Sequence, residues 1–229
     1  MSDDLEINVS LIAIVLLIVY HLIFLGMLRY KPLSTAIGRT NYMRAIWVEF
    51  VTTQQKDILA VQTVRNWTMA ATFLASTSIV IGLGIVNFAL TTEKNIANTS
   101  YLSFISHDPP EIWHLKLLLL AFDFFFAFFN FTLTIRYYNH ASFQLNIPLG
   151  IQSLQSIISV VTFGANYYTL GMRCYYLSIP LSLWLFGGFW FLLGALLLIL
   201  VLYRLDRPFE ELELPLHSSY GQFNEPRQK

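Results

Sequence analysis

Asp123 stands alone as an acid inside an apolar run, in LLLLAFDFFFAFFNF, part of a stretch from about 112 to 135. A charge at mid-bilayer costs about 2.5–3.5 kcal/mol on insertion scales, so such a residue faces other helices or a water cavity and has a partner. Counted from the nearer end of its stretch, Asp123 lies ~16 Å deep at the helical rise. His21, inside VSLIAIVLLIVYHLIFLGML, lies at a comparable depth. Together with Asn130 these residues could line a proton or ion path. They could equally form a buried hydrogen-bonded set that fixes helix packing, and we weigh this structural reading above the path.

Other chemistry is weaker. A membrane haem held by two histidines needs both rings at one depth; His114 and His140 sit near opposite ends of their stretch, and neither matches His21. His107, Asp108, Glu111 and His114 have the donor types for a transition metal, but Pro109 and Pro110 break any helical register among them. Glu111 and Lys116 read as a surface pair. No metal and no cofactor is expected. Arg65 with Asn66, and Arg173 with Tyr175 and Tyr176, stand where apolar runs meet polar sequence. They read as interface anchors with an aromatic belt, or as a grip on an anionic group. Cys174, the one cysteine, beside Arg173, has a lowered pKa or an acylation site as its reactive readings and an inert thiol as its plain one. No nucleophile triad with supporting context, phosphate loop or nucleotide fingerprint is present, so an enzyme is not expected.

The elements that would position these residues follow from composition. The chain has 229 residues, 55% apolar and 12% charged, with zero net charge. Soluble domains carry roughly 25% charged residues, and several runs approach the ~20 residues that cross a bilayer. This is the composition of an all-α membrane protein, and nothing in it points to nucleic acid. Spans are expected at about 9–28, 67–91, 112–135 and 178–203, with Pro180 in the first turn of the last. They give a four-transmembrane-helix bundle over residues 1–208, followed by a disordered polar tail, 209–229. In the second span Ala71, Ala75, Ser78 and Gly82 recur at helical spacing, a small-residue face that admits a neighbouring helix closely. Gly187, Gly188, Gly194 and Ala195 form a similar face in the fourth.

Two amphipathic stretches lie between spans. After an N-cap at Thr40, apolar residues fall at Met43, Ile46, Trp47, Phe50, Val51, Ile58, Val61 and Val64, a helical pattern. No proline or glycine intervenes before Gly82, so one helix of roughly fifty residues is expected to run from this stretch into the second span. Ile151, Leu154, Ile157, Ile158 and Val161 give a second amphipathic helix before Gly164, too short and polar to span. Basic residues gather around both stretches: Arg29, Lys31, Arg39, Arg44, Lys56 and Arg65, then Arg136 and Arg173. The loop 92–112 has only Lys94, and carries Asn98-Thr99-Ser100, a glycosylation tripeptide. The positive-inside rule therefore makes the amphipathic extensions cytoplasmic. Four spans then leave both termini outside, in a plasma or bacterial inner membrane. Arg204, Arg207, Arg227 and Lys229, after the last span, run against this.

The blocks RTNYMRAIW, KDILAVQTVRN, LASTSI, WHLKLLLLA, RYYNH and GMRCYY occur in order over residues 10 to 208. In these the chain resembles domain-of-unknown-function family 599. The resemblance implies a small multi-pass membrane protein of a family found in bacteria and plants, with no activity, substrate or cofactor attached. The expected role is a structural, accessory or scaffold component in the lipid bilayer, associating with itself or with another membrane protein through its small-residue faces. A small transporter or channel using Asp123 and His21 is the alternative.

Overall fold

The computed structural model describes residues 3–94, 109–148, 151 and 153–208. The described chain is all-α. The helices are α1 (Asp3–Tyr30), α2 (Ala36–Thr53), α3 (Asp57–Lys94), α4 (Pro110–Gln144), α5 (Leu154–Trp184) and α6 (Gly188–Leu205), with one 3₁₀ turn at Pro32–Ser34. Four stretches are long and apolar enough to cross a membrane: Leu5–Tyr30, Asp57–Thr91, Glu111–Gln144 and Gly188–Leu205. Their outward faces carry large apolar side chains, such as Leu22, Phe73, Phe122 and Leu200, as lipid contact requires.

The long helix expected through residues 44–82 is divided in two. Helix α2 begins earlier than Thr40: Thr35 is its cap, and its hydroxyl accepts from the Gly38 N–H at 3.1 Å. Thr40 lies inside the helix, its hydroxyl donating back to the Ala36 carbonyl. The helix ends at Thr53, and Gln55 takes a left-handed φ of 51°. The Lys56 N–H returns to the Val51 carbonyl at 2.9 Å. This is the closing bond of a Schellman turn, with glutamine at the position that glycine usually fills. Helix α3 then restarts at Asp57, an acid placed at the positive end of its own helix.

The second revision concerns α5. The helix does not stop at Gly164 but runs for 31 residues through Gly164, Gly171 and Pro180. These glycines admit aromatic rings from α4. A Cβ at Gly164 would stand 2.7 Å from the Tyr138 ring, and one at Gly171 would stand 2.8 Å from Phe131. The break comes at 185–187, inside the expected fourth span, where Gly187 has φ 127°. Pro180 therefore lies near the end of α5 rather than at the start of a span. Its ring and Leu183 receive Gly194 of α6, where a Cβ would meet Leu183 at 2.8 Å.

Helix α5 is central, packing on α4, α6 and α2. It runs antiparallel to α4 along their length. The Lys116 ammonium near the start of α4 donates to the Trp184 carbonyl at the end of α5, 3.2 Å away, while Tyr138 near the end of α4 meets Gly164. Helix α6 returns beside α1 in the same direction. The Gly188 N–H bonds the Glu6 carboxylate at 3.1 Å, and the Trp184 indole bonds Ser10 at 3.1 Å. At the other end the Tyr20 hydroxyl reaches Asp206 at 2.7 Å. The start of α1 and the end of α6 thus lie at opposite ends of the bundle. The expectation that both termini share a side assumed that only the four apolar stretches traverse it.

The two amphipathic segments pack on each other. Ala45, Val48 and Val51 of α2 join Ile157, Ile158 and Val161 of α5, with Ala60 and Val64 of α3 and Tyr138, Ala141 and Leu145 of α4. At ~1.5 Å per residue the 38 residues of α3 extend ~57 Å, well beyond a hydrocarbon core of roughly 30 Å. The excess, together with α2, forms a helical layer at one end.

Candidate functional site

The structure separates the intramembrane candidates. Asp123 is buried on α4, beside the Cys174 thiol of α5. Its Oδ2 has no hydrogen-bond partner. Asn130, two turns along the same face of α4, is buried, and its amide donates to the Phe126 carbonyl at 2.7 Å. His21 lies elsewhere, on α1. Its Nδ1 is 2.8 Å from the Leu17 carbonyl, and its ring borders a cavity of about 500 Å³ shared with Phe24, Asn41, Asn166 and Arg173. Asp123 and His21 thus sit at different helix interfaces. Lys116, read from sequence as a surface residue, is also buried, over the Trp184 ring.

The remaining sequence candidates divide as well. Arg65 and Asn66 are exposed on α3. Arg173 is not an interface anchor but an interior residue, its side chain 12% exposed, paired with Asp206 at 2.5 Å and stacked over the Phe24 ring. Asp206 is held by three elements: Arg173 and Tyr20 on its carboxylate, and the Ala36 N–H on its backbone carbonyl at 2.9 Å. Sequence reasoning gave Asp206 no role, although it follows the last apolar run directly. Cys174 is buried. His107 and Asp108 lie outside the described residues, and no group of metal-ligating side chains occurs among those described.

The small-residue faces are occupied within the chain. Ala71, Ala75, Ser78 and Gly82 are buried. Ser78 lies 3.1 Å from the Tyr175 hydroxyl, which itself donates to the Leu74 carbonyl at 2.9 Å. A Cβ at Gly82 would stand 3.0 Å from the Phe125 ring.

Where α2 meets the bundle, side chains converge that sequence reasoning had left apart. Arg44 donates to the Asn41 carbonyl oxygen at 2.6 Å, and the Asn41 amide donates to Asn166 of α5 at 3.0 Å. This relay fixes α2 against α5. Beside it lies a cavity of about 450 Å³ walled by Trp47, Trp67, Tyr138 and Tyr168. The Trp47 and Trp67 rings are 5.4 Å apart, and Trp67 and Tyr138 are 5.5 Å apart. Burial pulls the Arg44 pKa below its ordinary value, the nearby Tyr138 hydroxyl opposing that shift. A guanidinium stays charged at neutral pH all the same.

A bundle of long apolar helices around a more polar central helix, with an apolar cluster from four helices at one end, defines a helical integral membrane protein. The family comparison agrees: the model described as "Protein of unknown function, DUF599" matches residues 9–211. The chain belongs to that family. No curated protein and no solved structure matches it.

Proposed function

We propose that this is a non-enzymatic membrane component that acts by presenting its helical layer to another membrane protein. The observation that carries this reading is an apolar face on the layer itself. Met43, Ile46 and Phe50 on α2, with Ile58 and Leu59 at the start of α3, are exposed by 36–79%. Ile58 precedes Trp67 by nine residues on one helix, ~13 Å further from the apolar belt. Exposed apolar side chains beyond the bilayer mark contact surfaces.

The layer lies on the cytoplasmic side in this reading. It carries Arg39, Lys56, Arg65 and Arg136, and the end of α6 adds Arg204 and Arg207. With α5 as a fifth crossing, those last arginines join the basic side instead of opposing it. The N-terminal end is then outside and the C-terminal end cytoplasmic.

A photo-crosslinker at Phe50 or Ile58, activated in native membranes, is expected to join the protein to one discrete partner. The same group at Leu22, on the lipid-facing side of α1, is expected not to do so. Recovery of only self-adducts or lipid from Phe50 and Ile58 overturns the reading. The transporter alternative is supported by the unpartnered Oδ2 of Asp123. Its test is ion or proton flux in liposomes, which Asp123→Asn must abolish.

A further inference from the structure

We propose that the aromatic cavity between α2 and the bundle binds an amphiphile with an acidic head, a phosphate or a carboxylate, and that Arg44 grips the head.

The charge balance of the site points to an anion. Arg44 is half-buried, and none of the described carboxylates pairs with it; its described hydrogen-bond partner is the Asn41 side chain, and both Arg44 and Tyr138 line the cavity. Arg173 makes the contrast, since Asp206 neutralises it inside the protein. A desolvated cation without a counter-ion is costly and is stabilised by any oxyanion that reaches it. One N–H goes to Asn41, which leaves most of the guanidinium donors for a ligand. Because Asn41 is itself held by Asn166, the guanidinium is presented in a fixed place. A planar guanidinium matches phosphate or carboxylate with paired hydrogen bonds.

The walls point to an apolar body. Trp47, Trp67, Tyr138 and Tyr168, with Ala70, line a half-open space of about 450 Å³, in the range of small-ligand pockets. Rings with polar edges suit the boundary between headgroups and hydrocarbon. The cavity is at that boundary: Trp67 and Ala70 lie on α3, just before its exposed lipid-facing residue Phe73. The head therefore meets Arg44 on α2, and the chain lies along the aromatic rings toward the bilayer. Met43 both lines this cavity and borders the apolar surface described above, but the inference stands apart from the partner reading, because it rests on Arg44 and the aromatic walls and is tested without a partner.

The full chain in neutral detergent provides the test, since Trp47 and Trp67 fluoresce within the cavity. The probes are bromododecanoate, bromododecyl phosphate and, as the neutral control, bromododecanol, all of which quench indole on contact. Saturable quenching is expected from the two acids, with bromododecanol requiring on the order of tenfold more for the same effect, the strength of a charge-assisted hydrogen-bond pair. Arg44→Gln is expected to erase that difference. Ala70→Phe keeps the guanidinium but fills the cavity, and is expected to abolish saturable quenching by both acids. The ratio of the two acids separates a carboxylate source from a phosphate source. Equal quenching by all three probes, or acid preference that survives both substitutions, overturns the proposal. Reversal of acid quenching by equimolar inorganic phosphate also overturns it, since the site would then take the head alone.

Discussion

Arg173 lies within α5 and Asp206, 33 residues on, caps the end of α6, and the side chain of each is about one-tenth exposed. A buried pair of this kind is weak evidence of net stability, because desolvation offsets much of the attraction. Breaking it is a different matter, since the survivor is left charged and buried. Asp206→Ala is therefore expected to cost about 3–5 kcal/mol, and Arg173→Met added to it is expected to recover most of that loss. Cys174, the only cysteine and buried, supplies the measurement: its reaction with a thiol-reactive dye on heating reports unfolding. A double variant no more stable than the single one would show that the Asp206 carboxylate acts through Tyr20 rather than through charge. At this scale the sequence was half legible. Asp123 announced itself as the one acid in an apolar run, and burial followed from that. Its neighbour did not, because Cys174 arrives from a helix that sequence reasoning had placed partly outside the membrane. Lys116 was misread because the Trp184 carbonyl and ring that receive it are 68 residues away. Residue types fix what a group needs, and only the packing of distant helices fixes what it meets.

The turn between α2 and α3 shows the same limit for elements. Every residue from Thr53 to Asp57 is compatible with a helix, and no proline or glycine marks a stop. The break is imposed by packing: α2 lays Ala45, Val48 and Val51 on α5, while α3 lays Ala71 and Ala75 on the bundle, and one straight rod cannot do both. Gln55 absorbs the change at φ 51°. Left-handed backbone costs a non-glycine residue roughly 1–2 kcal/mol. Gln55→Gly is therefore expected to stabilise the protein by about 1 kcal/mol, seen as later dye labelling of Cys174 on heating. A destabilised variant would mean that the glutamine side chain holds the turn. Gly38 is the opposite case. A Cβ there would collide with the Pro32 carbonyl oxygen, which the start of α2 cannot relieve without shifting. Gly38→Ala is expected to cost about 1–3 kcal/mol and to loosen the Asn41–Asn166 bond by displacing α2. Helix α5 explains why hydropathy counts fall short. Asn166, Thr169, Arg173, Ser178 and Ser182 lower its apolar content, yet it packs on α2, α4 and α6 and turns only a strip at Phe163, Leu170 and Ile179 outward. An apolar run signals contact with lipid; a helix packed on three others has less of that contact to signal.

For the whole molecule the consequence is one of parity. Four traversing helices return the chain to its starting side, and five do not. The bonds at the two ends of the bundle bear on this directly. Glu6 and Ser10 of α1 hold the corner where α5 turns into α6, and Tyr20 with Ala36 holds the end of α6 beside the connector that follows α1. If α5 were confined to one side of the bilayer, its contacts from Tyr138 to Lys116 along α4 would have to be made outside the hydrocarbon. That would drag the apolar middle of α4, with Phe122, Phe126 and Phe129 exposed, into water. The five-crossing arrangement avoids this cost and removes the conflict in the positive-inside count. Introduced cysteines distinguish the two, because the native thiol is buried and contributes little background. Leu5, Ile58 and Arg207 are all exposed. In intact cells a membrane-impermeant maleimide is expected to label Leu5→Cys, and to label Ile58→Cys and Arg207→Cys only after permeabilisation. Labelling of Leu5→Cys and Arg207→Cys from the same side would restore four crossings. The contacts of α5 with α4 and α6 would then have to be remade in the membrane, which would also remove the Arg173–Asp206 pair and, with it, the loss expected for Asp206→Ala.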